Sequence, residues 1–539
     1  MKKSALVALG IAQFVMVLDQ SVMNVSISQL VEDFDTTIPT IQAVITLYCL
    51  VMAMLMLTGG KIGDIIGRRK AFVIGLVIYA VGSTMTAFSP TVVILALGWS
   101  VLEGIGAALV LPALAALIAG NFEGAQRKAA YAVIGGVAGA GIAVGPILGG
   151  WATTELTWRI VFLGEVVLVA VILALTPKVA DALRDGPKPR LDYVGSVLSA
   201  VGIGAMVLGV LQSSTWGFVE PKDSPVEPLG FSLTIFVIVG GALCIWGFFV
   251  WSRRREEQGL DPLVHLRLFS VAPLRSGLVG LFTQNLVLMG VFFVVPLYLQ
   301  LVVGLDALDT GIRMLPISIA MFAFSAIGSR LSSRIPVRTI VRIGLLTSTV
   351  AIGVLIATVD PELRDLGFAV SMALLGVGMG LIVSQLGNVV QSSVDASGRG
   401  EAGGLQYTGQ QLGSSVGVAL IGAIVLAGLT NVFVDTIASD ERIAPEVAEQ
   451  VGVRAANGVD FVSSSQLADA AVDAGIDEQS ADAIVDDYEQ AQLQSLKAGL
   501  LATGVLALVS LMSTRNLPAG VGGDDDETPA AGSSQPAAA

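Results

Sequence analysis

Residues 98–117 read GWSVLEGIGAALVLPALAAL, twenty positions with one charged side chain, Glu103. At about 1.5 Å of rise per residue, a helix of that length is ~30 Å long, the thickness of a bilayer's hydrocarbon core. An ionised glutamate inside such a span costs at least about 2.5–3.5 kcal/mol to insert, so the acid needs a reason. Runs of the same kind recur along almost the whole chain: 5–30, 39–59, 70–89, 91–119, 128–150, 159–176, 191–212, 230–251, 275–301, 309–329, 338–358, 366–389, 401–428 and 495–514. The 539 residues are 54% hydrophobic and 14% charged, against about 25% charged in an average soluble domain. The pattern predicts an all-α polytopic membrane protein with 14 transmembrane helices and both termini on one side. Asp19 and Asn24 interrupt the first run, and no small-residue cleavage pattern follows it, so it is read as a helix and not as a cleaved leader.

Orientation follows from lysine and arginine, which are retained in short cytoplasmic loops. With the N-terminus inside, six of the 30 basic residues fall on the outer side: Arg159, Lys222, Arg313, Arg364, Arg442 and Arg454. A multi-pass protein of the cell membrane with both termini cytoplasmic is expected. The net charge of −13 carries no message about cargo. Residues 431–490 hold 14 acids against Arg442 and Arg454, and Asp524 to Glu527 add four more. Residues 431–490 are expected to form a small external helical pair, and 516–539 a disordered cytoplasmic tail. Cys49 and Cys244 stand alone in separate spans, and His265 is the single histidine. No disulfide framework, zinc site or histidine-based catalysis can be assembled from them, and no cofactor or metal is expected.

Residues 102–110, LEGIGAALV, resemble 374–383, LLGVGMGLIV, with Gly104 and Gly106 aligned on Gly376 and Gly378. This suggests two related halves around a midplane cavity. The expected organisation is a six-helix bundle over 1–176, a linker with two inserted helices over 177–258, and a second six-helix bundle over 259–515. In the alignment Glu103 stands opposite Leu375, so the architecture itself does not demand an acid there.

After the second run comes GGKIGDIIGRRK, 59–70, where glycines allow helix ends to approach and Asp64 precedes Arg68, Arg69 and Lys70. Such a cluster can act as a cytoplasmic latch. Gly60, Asp64, Gly67, Arg68, Arg69 and Lys70 resemble the signature loop of the major facilitator superfamily, with Ile65 replacing one usual cation. In GGVAGAGIAVGPILGG, Gly141, Gly145, Pro146, Gly149 and Gly150 resemble the antiporter motif of its drug exporters. LDQSVMNVSI, 18–27, which places Asp19 roughly midway across the bilayer, resembles a segment of the fourteen-span drug:proton antiporters. The resemblance implies the major facilitator fold, two six-helix bundles plus two central inserted helices, and efflux of drugs in exchange for protons. Where that family carries arginine in the fourth span this chain has Ser100, and Glu103 and Glu165 stand where neutral amides are usual.

A buried cation is therefore missing and carboxylates have been gained. Burial and neighbouring acids both favour the protonated form of a carboxyl group, so Asp19 and Glu103 are read as proton- or substrate-handling groups, with Glu165 as a third candidate. The alternative is that Glu103 stays protonated and bonds a neighbouring helix. Asn24, Gln284, Asn285, Gln385, Asn388, Gln406, Tyr407 and Gln410, with Gln411, are candidates to line the cavity, although helix-to-helix bonding would explain them equally. No phosphate-binding Gly-x-x-x-x-Gly-Lys-(Ser/Thr) loop occurs, so the chain does not itself use ATP, and no catalytic cluster points to an enzyme. The expected function is export of hydrophobic, often cationic compounds by alternating access. Its partners would be a lipophilic small molecule, protons and membrane lipids, with no nucleic acid, and the protein would be monomeric. An exporter of an endogenous lipid or metabolite and a non-transporting sensor stay open.

Overall fold

The computed structural model describes residues 3–519 apart from 123, 182–189, 223, 362, 395–398, 444, 446, 449–450, 452–460, 474–475 and 477, and every regular element among the described residues is helical. Among the described residues, fourteen helices are long and apolar enough to cross a membrane. Spans 1 to 6 are Ser4–Val25, Ile38–Ile66, Arg68–Ala87, Val92–Ile118, Val133–Leu156 and Arg159–Lys178. Spans 7 and 8 are Tyr193–Ser213 and Leu233–Glu257. Spans 9 to 14 are Ala272–Val302, Ala307–Leu331, Val337–Thr358, Asp365–Ser392, Glu401–Ser439 and Gln479–Asn516. Below, the face that carries the 59–70 loop is the basic face, and the other is the far face.

Lipid tails are as apolar as leucine, so these helices gain little from hiding apolar surface and associate through close backbone approach. Glycine supplies it. A side chain on Gly106 of span 4 would meet the Gly75 carbonyl of span 3 at 2.7 Å, and one on Gly378 of span 12 would meet the Gly344 carbonyl of span 11 at 2.6 Å. Gly104 rests on Val51 of span 2, and Gly376 on Ile317 and Ala320 of span 10. The two similar sequences thus make the same contacts eight spans apart. Spans 1–6 and 9–14 form two six-helix bundles. The tight turn between spans 2 and 3 needs Gly67, whose φ of +104° is open to glycine and strained for other residues.

The bundles meet along two seams. Span 2 runs beside span 13, where Gln42 Nε2 donates to the Val418 carbonyl (3.0 Å) and Ser415 Oγ to the Thr46 carbonyl (3.2 Å). Span 5 runs beside span 10, with Gly150 against the Ala307 carbonyl and Gly311 against the Pro146 carbonyl at the far face. There too Gln300 Nε2 reaches the Val25 carbonyl (2.8 Å), and Thr154 Oγ1 accepts from the Leu308 amide (3.2 Å). Spans 7 and 8 interlock through Gly202, Gly209 and Gly241. Ile203 and Val207 of span 7 lie on Leu50 and Ala53 of span 2 and Ala419 of span 13, which places the insert over the first seam.

Of residues 431–490, where an external helical pair is expected, 444, 446, 449–450, 452–460, 474–475 and 477 lie outside the described residues. Span 13's helix continues unbroken to Ser439, span 14's helix begins at Glu478, and a short helix, Ser464–Asp473, lies beside it. The alanine-rich stretch before span 14 favours helix strongly enough to extend it past the membrane. Phe433 meets Tyr488 edge-on at 5.4 Å, and Arg442 bonds Asp440 and Asp486, each at 2.7 Å. Of the 516–539 tail, residues 520–539 lie outside the described residues, and the Pro518 carbonyl accepts from the Arg338 amide (3.2 Å).

Candidate functional site

Asp19, Glu103 and Glu165 leave spans 1, 4 and 6 and converge inside the first bundle, one oxygen of each lying within 4.8 Å of the others. They are 1%, 0% and 1% exposed. Asp19 stands six residues from Val25 and Glu165 six from Arg159, about 9 Å below the far ends of their spans. Glu103 stands eleven residues from Val92, near the middle of span 4, so the cluster lies between mid-span and the far face. Span 4 reaches it through a π-helical stretch, Ala96–Glu103, a distortion frequent at functional sites. Gly82 and Gly98 let spans 3 and 4 touch there: a side chain on Gly82 would stand 2.7 Å from Glu103 Cγ.

The acids take their donors from spans 3 and 4. Trp99 Nε1 donates to Asp19 Oδ1 (2.8 Å), and the Tyr79 and Ser83 hydroxyls to Glu165 Oε2 (both 3.0 Å). The Thr86 hydroxyl lies 3.2 Å from Glu103 Oε1 and 2.9 Å from the Gly82 carbonyl. One hydroxyl proton cannot serve both acceptors, whereas a protonated Glu103 would donate to Thr86 and free that proton for the carbonyl. Asp19 Oδ2, Glu103 Oε2, Glu165 Oε1 and the hydroxyl of Tyr48, which stacks on Trp99 at 4.8 Å, are buried without a hydrogen-bond partner.

Among the described residues no lysine or arginine pairs with the cluster. Ser100, in the place of the family's arginine, donates to the Val44 carbonyl (2.8 Å), and Arg159 bonds Asp33 (2.9 Å) and the Ser89 carbonyl (3.2 Å). Burying an uncompensated ion costs several kcal/mol, so three such carboxylates require protons or a bound cation to offset them. The donors are all oxygen, a set suited to a hard cation.

The sequence named the three acids but not their partners. Tyr79, Ser83 and Thr86 stand four and three residues apart, one face of span 3, a readable signal that went unused. Also missed was Gln20, whose Nε2 donates to Gln411 Oε1 (3.1 Å) across the bundles.

The remaining cavity candidates are not brought together. Asn24 Nδ2 donates to the Gln20 carbonyl (2.6 Å), while its Oδ1 is buried without a partner. Asn285 bonds its own helix at the Leu281 carbonyl (2.9 Å), and Gln385 ties span 12 to the Gly328 carbonyl of span 10 (2.8 Å). Gln284 shares a face of span 9 with Gly277 and Gly280, which rest on Val390 and Leu386 of span 12. Gln406 accepts from Gln391 (3.2 Å), Tyr407 and Gln410 are half-buried, and Asn388 is exposed.

In the basic loop, Asp64 pairs with Arg68, whose Nη1 also reaches the Gly60 carbonyl (3.1 Å), and the Arg69 amide donates to Asp181 Oδ1 (3.0 Å). Lys70 is exposed. These contacts stay within the first bundle. The link to the segment before span 9 comes from Lys61, whose Nζ donates to the Pro262 carbonyl (3.1 Å), while His265 Nδ1 lies 2.9 Å from Glu401 of span 13. In the antiporter-like segment, Gly141, Gly145 and Gly149 seat span 5 on Val17, Ser21 and Val22 of span 1, while Pro146 and Gly150 meet span 10.

Comparison with known proteins agrees with this architecture. A crystal structure of a bacterial homologue of the human lysosomal transporter Spinster, inward-facing and unoccupied, superposes with a TM-score of 0.60 at 15% identity, covering 96% of this chain and 97% of that one. The tetracenomycin C resistance and export protein of Streptomyces glaucescens is 27% identical over 83% of this chain and 80% of its own length. The multidrug efflux pump LfrA of Mycolicibacterium smegmatis is 30% identical over 88% of this chain and 91% of its own. The family profile of the Major Facilitator Superfamily matches residues 9–418, and the chain, a multi-pass membrane protein, belongs to that superfamily.

Proposed function

We propose that the chain exports lipophilic compounds in exchange for protons, with its basic face in the cytoplasm and Asp19, Glu103 and Glu165 carrying the protons. The observation that carries this reading is the cluster itself: three carboxylates within 4.8 Å and no basic partner among the described residues. Such a group holds protons while sealed and releases them once a pathway to water opens, which is the exchange an antiporter needs. Export is supported by the relatives named for efflux and for antibiotic resistance and export. Alternating access would part the span 5–span 10 seam at the far face while Lys61 and the Pro262 carbonyl hold the basic face, and the reverse.

The test is cargo-dependent proton movement in inverted vesicles under an imposed pH gradient. Asp19→Asn and Glu103→Gln should each abolish gradient-driven accumulation while the protein stays folded, and full activity in both would remove the reading. A sodium gradient at constant pH forms a second arm, because an all-oxygen donor set also fits a hard cation. Accumulation driven by sodium would reassign the coupling ion. Lipid movement independent of the gradient would make the chain an exporter of an endogenous compound, and binding without flux would make it a sensor.

A further inference from the structure

We propose that cargo is recognised between the bundles by neutral amides and hydroxyls centred on Gln20 and Gln411, and needs no positive charge. The fitting class is lipophilic compounds bearing carbonyl, amide or hydroxyl groups. This rests on the transport reading above and deepens it, since the carboxylates then serve the coupling ion and not the cargo.

Consecutive residues of a helix point roughly 100° apart. Asp19 therefore faces the interior of the first bundle, where Trp99 holds it, while Gln20 faces the second bundle and meets Gln411 (3.1 Å). Gln13 and Asn24, seven residues before Gln20 and four after, share its face. Away from the basic face, where Lys61 meets the Pro262 carbonyl, other polar contacts across the seams are neutral as well: Gln42 with the Val418 carbonyl, Ser415 with the Thr46 carbonyl, Ser318 with the Ile142 carbonyl and Gln300 with the Val25 carbonyl.

The second observation is unused hydrogen-bonding capacity on these faces. Gln13 Oε1 and Asn24 Oδ1 are buried without a partner, and so is Thr408 Oγ1, three residues before Gln411 on the same side of span 13. Gln13, Asn24 and Thr408 are 7%, 2% and 7% exposed. Buried polar atoms are ordinarily satisfied, so orphans strung along the faces that carry Gln20 and Gln411 point to an elongated ligand that satisfies them. When the bundles part, the Gln20–Gln411 bond is lost, and a cargo carbonyl or hydroxyl can replace it, because an amide both donates and accepts. Among the described residues on these faces, a cationic centre would find no counter-charge.

Equilibrium binding to the purified full-length protein, with no gradient, tests this. The probes are the uncharged dye Nile red and its displacement by the permanent cation tetraphenylphosphonium. Nile red should bind, and Gln20→Leu and Gln411→Leu should each weaken it about tenfold, the size of one hydrogen bond. Gln20→Asn, which keeps the amide, should recover part of the loss and guards against a folding defect. The proposal is overturned if Nile red does not bind, if its affinity ignores both leucine substitutions, or if tetraphenylphosphonium binds more tightly and loses its affinity with Asp19→Asn. Because no gradient is applied, failure of proton coupling in vesicles leaves these outcomes readable.

Discussion

At the scale of single residues, the carboxylate cluster depends on a few donors. Replacing Trp99 by Phe keeps an aromatic ring against Tyr48 and removes the indole N–H from Asp19. The expected loss is about 1–3 kcal/mol of stability, read from thermal unfolding in detergent. Glu165→Gln should impair gradient-driven transport as severely as Glu103→Gln, since both oxygens belong to one cluster. The acids themselves were legible in the sequence, because an ionisable side chain in a long apolar run has few uses. Their convergence was not. Which faces of spans 3 and 4 meet is decided by Gly82, Gly98 and the π-helical stretch that ends at Glu103, and nothing local to Glu165 says that Tyr79 lies beside it.

At the scale of elements, the seams decide what can move. Thr154 and Leu308 touch across the far face. With cysteine at both positions, oxidative cross-linking should stop transport and reduction should restore it, while undiminished transport in the cross-linked protein would contradict a seam that must part. On the basic face, the Glu401 carboxylate beside His265 raises the imidazole above its ordinary value of 6.5. The charged pair therefore stabilises the fold fully below pH 6.5 and fades as pH rises through the higher folded value. His265→Gln should flatten the pH dependence of thermal stability in that window. The repeat behind both bundles was legible from Gly104, Gly106, Gly376 and Gly378, because close backbone approach leaves a glycine wherever it recurs. The single helix from span 13 to Ser439 was less so, since alanine-rich helix reads alike inside and outside a membrane.

At the scale of the whole molecule, the sites proposed for ion and cargo lie in different places, the carboxylates inside one bundle and the neutral amides between the two. Sequence alone left Asp19 open to either role and did not single out Gln20, because the directions of these chain neighbours part only once the helices are placed. Exchange of labelled for unlabelled cargo across vesicles needs the seam to open on both sides but needs no proton gradient, whereas accumulation needs both. The most direct measurement is therefore to compare the two activities in a protein carrying Asp19→Asn, Glu103→Gln and Glu165→Gln. The account expects exchange within about twofold of the unaltered protein and accumulation reduced to that of empty vesicles. Loss of both from a folded protein, or survival of both, would contradict it.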